Sequence, residues 1–134
     1  MHKQIFVNLP IADMAKSRAF FTALGYSFNP DFSNDQGAAV VLGENLYAML
    51  LVRDFFGTFT GKPIADANKS TEVIVCLNCD SRAEVDALVA KAIAAGGTAP
   101  RAPQDHGFMY GHGFEDLDGH IWELVHMSGM PPKE

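Results

Sequence analysis

Near the start of the chain, apolar side chains recur at every second position. Ile5, Val7, Leu9 and Ile11 fall on one side of an extended backbone, and Phe6, Asn8 and Pro10 on the other. Period two marks a half-buried strand. The period then changes: after Asp13, residues Met14, Ser17, Phe20, Phe21 and Leu24 recur at helical spacing, and Gly25 stands where a helix closes through a left-handed residue. A turn region after 26–28, rich in Asn, Asp, Pro and Ser, gives way to an apolar run over 38–42. The turn Gly43-Glu44-Asn45 then leads to a further apolar strand over 46–52. The first half therefore reads β-α-β-β-β.

The second half repeats that order. An alternating strand over 72–78 precedes a helix opened by Ser81 and Glu84, an S-x-x-E capping box ahead of Val85, Leu88, Val89 and Ala92. Gly96-Gly97 ends that helix as Gly25 ends the first. A loop marked by Pro100 and Pro103 follows, then a run over 108–115, the turn Asp116-Leu117-Asp118-Gly119 and a strand over 120–126, with the tail 128–134 expected to fray. Asp13 and Asp80, each between a strand and a helix, lie half a chain length apart and read as corresponding caps, which a duplicated unit explains. The reading is one domain of two modules, about 1–52 and 71–128. The linker 53–70 carries Phe55, Phe56 and Phe59 among Gly57, Gly61 and Pro63, and is too aromatic to be a solvated tether. A sheet with one helix leaves its other face bare, so an α+β fold is expected in which paired modules form a curved, cup-shaped mixed sheet with helices outside.

Composition narrows the function. With 48% hydrophobic and only 19% charged residues, the chain can bury a core, which excludes disorder. Ten basic against sixteen acidic side chains give a net charge of −6, without the basic field that attracts phosphate backbones or anionic lipid. Nucleic acid and membrane partners are not expected. Five basic and ten acidic residues lie in 68–134, which also holds four of the five histidines, so the charge sits mostly in the second module. The N-terminus leads directly into a strand and no apolar run nears the ~20 residues of a membrane span, which reads as cytoplasmic. Cys76 and Cys79 form a C-x-x-C spacing, but Cys76 belongs to a strand rather than a helix N-terminus, so buried or half-buried free thiols are expected in place of a redox pair.

Two segments carry a family resemblance. Phe6-Val7-Asn8-Leu9-Pro10-Ile11-Ala12-Asp13, leading to Phe20-Phe21 and Leu24-Gly25, is the first. The second is Phe114-Glu115-Asp116-Leu117-Asp118-Gly119-His120-Ile121-Trp122-Glu123-Leu124, which matches a closing F-x-D-P-D-G-x-x-x-E-L hairpin except for Leu117 in place of proline. In this the chain resembles the vicinal-oxygen-chelate superfamily, which includes glyoxalase I, bleomycin-resistance proteins and extradiol dioxygenases. The resemblance implies four inward metal-ligand places, one on the first and one on the last strand of each module. They fall on Phe6, at or near Met49, on Val73 and on Glu123. Glu123 alone suits a hard cation, so a divalent metal is a possible cofactor with an incomplete ligand set.

The histidines do not simply rebuild that set. On the last strand, His120, Trp122, Leu124 and His126 share one face and Ile121, Glu123 and Val125 the other. His120 and His126 are expected at the surface. His106 and His112 stay open, because Phe108, Tyr110, His112 and Phe114 alternate on a strand of unfixed register.

Two functions follow. One is a glyoxalase-like lyase or isomerase with Glu123 as general base or metal ligand and Asn8, Tyr110 or His112 orienting the substrate. The other is a metal-free protein that binds or sequesters a small molecule among Phe6, Met49, Phe108, Tyr110 and Trp122. The resemblance further implies a homodimer, with Phe55–Phe59 as an interface element or lid.

Overall fold

The computed structural model describes residues 1–129; most of the tail expected to fray, residues 130–134, lies outside them. The chain divides into two compact units, Met1–Asp66 and a second from Ala67 onward. The first runs β1 (Ile5–Ile11), α1 (Met14–Ala23), β2 (Ser27–Asn29), β3 (Gly37–Gly43), β4 (Leu46–Val52) and the short α2 (Arg53–Phe56). The second runs β5 (Ile74–Asn78), α3 (Arg82–Ala94), β6 (Gln104–Asp105), β7 (Met109–Glu115) and β8 (Ile121–Met127).

Both units build one topology. The sheets are ordered β1-β4-β3-β2 and β5-β8-β7-β6, each with one parallel pair, β1 with β4 and β5 with β8, and antiparallel pairs elsewhere. The α+β reading and the duplication both stand.

Strand alternation decides which face meets the helix. In the first unit Leu9, Ile11, Ala48 and Leu50 are buried together with Phe20, Phe21 and Leu24 of the α1 segment. In the second, Phe114, Trp122 and Leu124 are buried together with Val85, Val89 and Ala92 of α3, and the Phe114 and Trp122 rings lie parallel, 6.3 Å apart. Burying each large side chain contributes about 1.5–3 kcal/mol, so these two layers hold the fold.

The helices start and stop as their end residues dictate. Asp13 Oδ1 accepts from the Lys16 N–H at 3.0 Å, and Ser81 Oγ accepts from the Glu84 N–H at 3.0 Å. Asp80 is not the second cap: its N–H donates to Glu84 Oε2 at 2.9 Å, and the correspondence with Asp13 moves one residue on, to Ser81. At the other ends Gly25 and Gly96 adopt φ of +103° and +106°. Paired bonds from Gly25 and Tyr26 to Thr22 and Phe21, and from Gly96 and Gly97 to Ile93 and Ala92, close both helices alike.

The short β6 and the turns that follow β4 escaped the sequence pattern. Residues 53–66 belong with the first unit. There α2 and a 3-10 turn (Gly57–Phe59) bring Phe55 and Phe59 edge to face at 5.2 Å, and the Arg53 guanidinium donates to the carbonyl of Ile64 at 3.2 Å.

The β7–β8 turn is organised by one buried carboxylate. Asp116 accepts from the Asp118 N–H (2.9 Å), the His120 N–H (3.0 Å) and Trp122 Nε1 (3.0 Å). Burial raises its pKa above the ordinary carboxylate value, against the opposing pull of His120 and these donors. Gly119 follows with φ +85°. His120, expected at the surface, is buried. His126 is half-buried, with Nδ1 donating to the Cys79 carbonyl at 3.0 Å.

Candidate functional site

The strand faces turned away from the helices carry the polar and aromatic residues singled out in the sequence. On the first sheet Phe6 pairs with Tyr47 and Asn8 with Met49 across the β1–β4 ladder, so Phe6, Asn8 and Met49 come together on that open face. Phe6 stacks on Tyr47 at 4.8 Å with ring planes 10° apart, and Phe32 meets it edge-on at 6.5 Å. The face is aromatic and uncharged.

On the second sheet the corresponding face is built around Glu123, which pairs with Cys76 on β5 and with Gly113 on β7. The alternation puts Ile121, Val125, Met109 and Gly111 on the same side. An open cavity of about 150 Å3 lies over this face, floored by Gly111 and Gly113 and walled by Pro100, Ala102, Met109, Ile121 and Val125. Arg101, Gln104, His112 and Glu115 add polar lining. Glycine at 113 is what gives Glu123 its place: a Cβ there would stand 3.3 Å from Glu123 Cδ and 3.0 Å from the Trp122 carbonyl oxygen. Among the described residues no hydrogen bond reaches the Glu123 carboxylate from the protein.

Tyr110 does not join Glu123, whereas His112 lines the same cavity although its side chain leaves the opposite face of the strand. Tyr110 and His112 pair with His126 and Leu124, on the helix-facing side of β7. Tyr110 donates to Asp86 Oδ1 of α3 at 2.5 Å beneath Arg82, whose guanidinium carbon lies 5.0 Å from the ring centre. Arg82 in turn grips Asp105 with two bonds, at 2.6 and 2.9 Å, holding the Asp105 carboxyl down at about 2. His112 Nε2 donates to the Arg101 carbonyl at 2.9 Å, which fixes the loop carrying Pro100 and Ala102. Trp122, read as a pocket aromatic, is core. The period-two stripe was right, but only the β7–β8 register shows which way it faces.

Sequence reasoning missed Gly111 and Gly113, whose signal is the small-residue alternation in Gly111-His112-Gly113. It also placed Cys76 too deep. Cys76 is exposed beside Glu123, whose charge, after desolvation, raises the thiol pKa, while burial first and then Glu84, Asp80 and Cys76 push Cys79 up to about 11. Neither thiol has the electropositive setting of a reactive cysteine.

The donor set does not fit a family-type divalent ion. With the second cap at Ser81, the place matching Phe6 moves from Val73 to Ile74, so the four places hold Phe6, Met49, Ile74 and Glu123. Three of these offer no hard donor, and among the described residues no three His, Cys, Asp or Glu side chains gather as a metal site requires.

Residues 3–43 match the family model of the bleomycin resistance protein-like N-terminal domain. A hypothetical protein from S. aureus is 28% identical, with 94% of each chain covered and a TM-score of 0.80. A glyoxalase-related enzyme from Fulvimarina pelagi is 20% identical, covering 99% of this chain and 94% of its own, with a TM-score of 0.79. TnmS3, an antibiotic binding protein from Streptomyces sp. CB03234, is 20% identical, covering 96% and 98%, with a TM-score of 0.64. A comparison with curated proteins finds no match. These likenesses show a shared fold over most of the chain, and the family model matches only the opening part of the first unit. Among the described residues no helix is long and apolar enough to cross a membrane.

Proposed function

We propose that this chain binds and sequesters a small organic molecule on the open sheet faces, with no metal at the Glu123 position. The observation that carries the reading is Glu123 itself: a carboxylate set over Gly113 in an otherwise mostly apolar cavity, whose ladder neighbours Cys76 and Gly113 do not supply the oxygen shell of a hard cation. The stacked Phe6 and Tyr47 with Asn8 and Met49 offer a second apolar binding surface. The name of the structural neighbour from Streptomyces fits a binding role.

The test is metal content after purification without added metal, followed by titration with Zn, Ni, Mn and Fe. No stoichiometric binding is expected. Tight binding lost in Glu123→Gln would overturn the metal-free reading.

A second reading keeps the same residue as a general base. A carboxylate without a protein donor has both oxygens free to take a substrate proton, and the lyase or isomerase alternative rests on that. Turnover of α-hydroxycarbonyl substrates lost in Glu123→Gln would favour it. We also read the protein as a cytoplasmic homodimer in which the exposed Phe59 and its neighbour Phe55 form an interface element. Sedimentation at micromolar concentration tests this, and a monomer would count against it.

A further inference from the structure

We propose that the cavity of the second unit receives the cationic head of a small, otherwise apolar amine, with Glu123 as its counter-ion. The inference rests on the small-molecule-binding reading and names the ligand class. Volume sets the size: about 150 Å3 is the volume of an apolar protein cavity that takes benzene, so the enclosed part of the ligand is about one six-membered ring. Shape follows from the floor, since Gly111 and Gly113 present bare backbone where side chains would otherwise fill the space. The walls Met109, Ile121 and Val125 suit a hydrocarbon body.

Charge selects the head group. The half-buried Glu123 carboxylate faces this open cavity and takes no hydrogen bond from the protein among the described residues, which leaves its oxygens to solvent or to a ligand. The cavity lining holds two carboxylates, Glu123 and Glu115, against one guanidinium on the exposed Arg101 and the imidazole of His112, whose Nε2 is taken up by the Arg101 carbonyl. A neutral ligand leaves that balance negative and an anion worsens it. An ammonium, with three N–H donors, neutralises Glu123 and satisfies its oxygens.

The test is calorimetric titration of the intact protein with benzylamine, benzyl alcohol and benzoate, which share a ring and differ in charge. Benzylamine is expected to bind about tenfold more tightly than benzyl alcohol, the usual increment of a hydrogen bond to a charged group. Benzoate is expected not to bind. Glu123→Gln should erase the amine preference while leaving the alcohol within about twofold. Gly111→Val, whose Cβ meets Val125 at an ordinary 3.4 Å, fills the floor and should abolish binding of both. Equal affinity for amine and alcohol, or a preference that survives either variant, overturns the cationic assignment while small-molecule binding stands. Failure of all three probes at millimolar concentration removes both.

Discussion

Replacing Gly119 with alanine should destabilise the protein through two separable effects. The backbone there holds φ +85°, a conformation that costs an L-residue about 1–2 kcal/mol. The added Cβ would also stand 2.5 Å from Asn68 Oδ1, 2.9 Å from the Asn68 nitrogen and 3.0 Å from the Ala67 carbonyl carbon. Two of those three atoms are backbone, so relief requires the 67–68 segment to move, an overpacking cost of about 1–3 kcal/mol. The total is about 2–5 kcal/mol, a large share of the ~5–15 kcal/mol typical of a folded domain. Gly25→Ala separates the two effects, because its φ is +103° and nothing lies within 4 Å of its Cβ. It should lose only the backbone part. Urea unfolding followed by circular dichroism reads the difference as a midpoint about 0.5–2 M lower for Gly119→Ala than for Gly25→Ala. Equal midpoints would refute the claim that the turn is packed against residues 67 and 68.

Further outcomes follow from the caps, the surface ion pair and the thiols. Ser81→Ala should cost about 1 kcal/mol in urea unfolding, and Asp80→Ala clearly less; the reverse order would restore Asp80 as the cap. Asp105 is held at about 2 by the Arg82 hydrogen bonds, below its ordinary value, so its stabilising contribution is full above about pH 4 and fades as pH falls through 2. Because the buried Asp116 is shifted the opposite way, the readout is the difference between wild type and Asp105→Asn across pH 2–6, expected to be constant above pH 5 and to vanish at the acid end. A difference independent of pH would sink that assignment. A disulfide reagent should titrate Cys76 in the native protein and Cys79 only on unfolding; two native thiols would contradict the burial of Cys79.

Much of this architecture could be read from the chain, for physical reasons that also mark where reading failed. Strands β1, β4, β7 and β8 alternate because one face packs on a helix, and the pattern in Ile5–Ile11 needs no tertiary information. The helix boundaries came from Asp13, Ser81 and the glycines at 25 and 96, whose effects are local. The two-residue β6 has no period to detect. The same limit applied to orientation: alternation put Tyr110 and His112 on one face of β7, but only pairing with His126 and Leu124 sends that face to α3. His120 looked superficial beside a turn, yet the Asp116 network draws the turn inward.

The site was half legible. Glu123 stood out by motif, and its separation from His120 and His126 followed from parity alone. The glycine floor did not stand out, because a glycine in a strand announces space only once the residue opposite it is known.

Period-two alternation also sorts tolerance to change. Leu9, Leu50, Trp122 and Leu124 are committed to the layer beneath the helices, whereas Phe6, Asn8, Met49 and Glu123 sit one position away on strands whose pairing does not depend on them. Adjacent positions in one strand are therefore under separate constraints: one topology, built twice, carries an aromatic, uncharged open face on the first sheet and a carboxylate over bare glycine on the second.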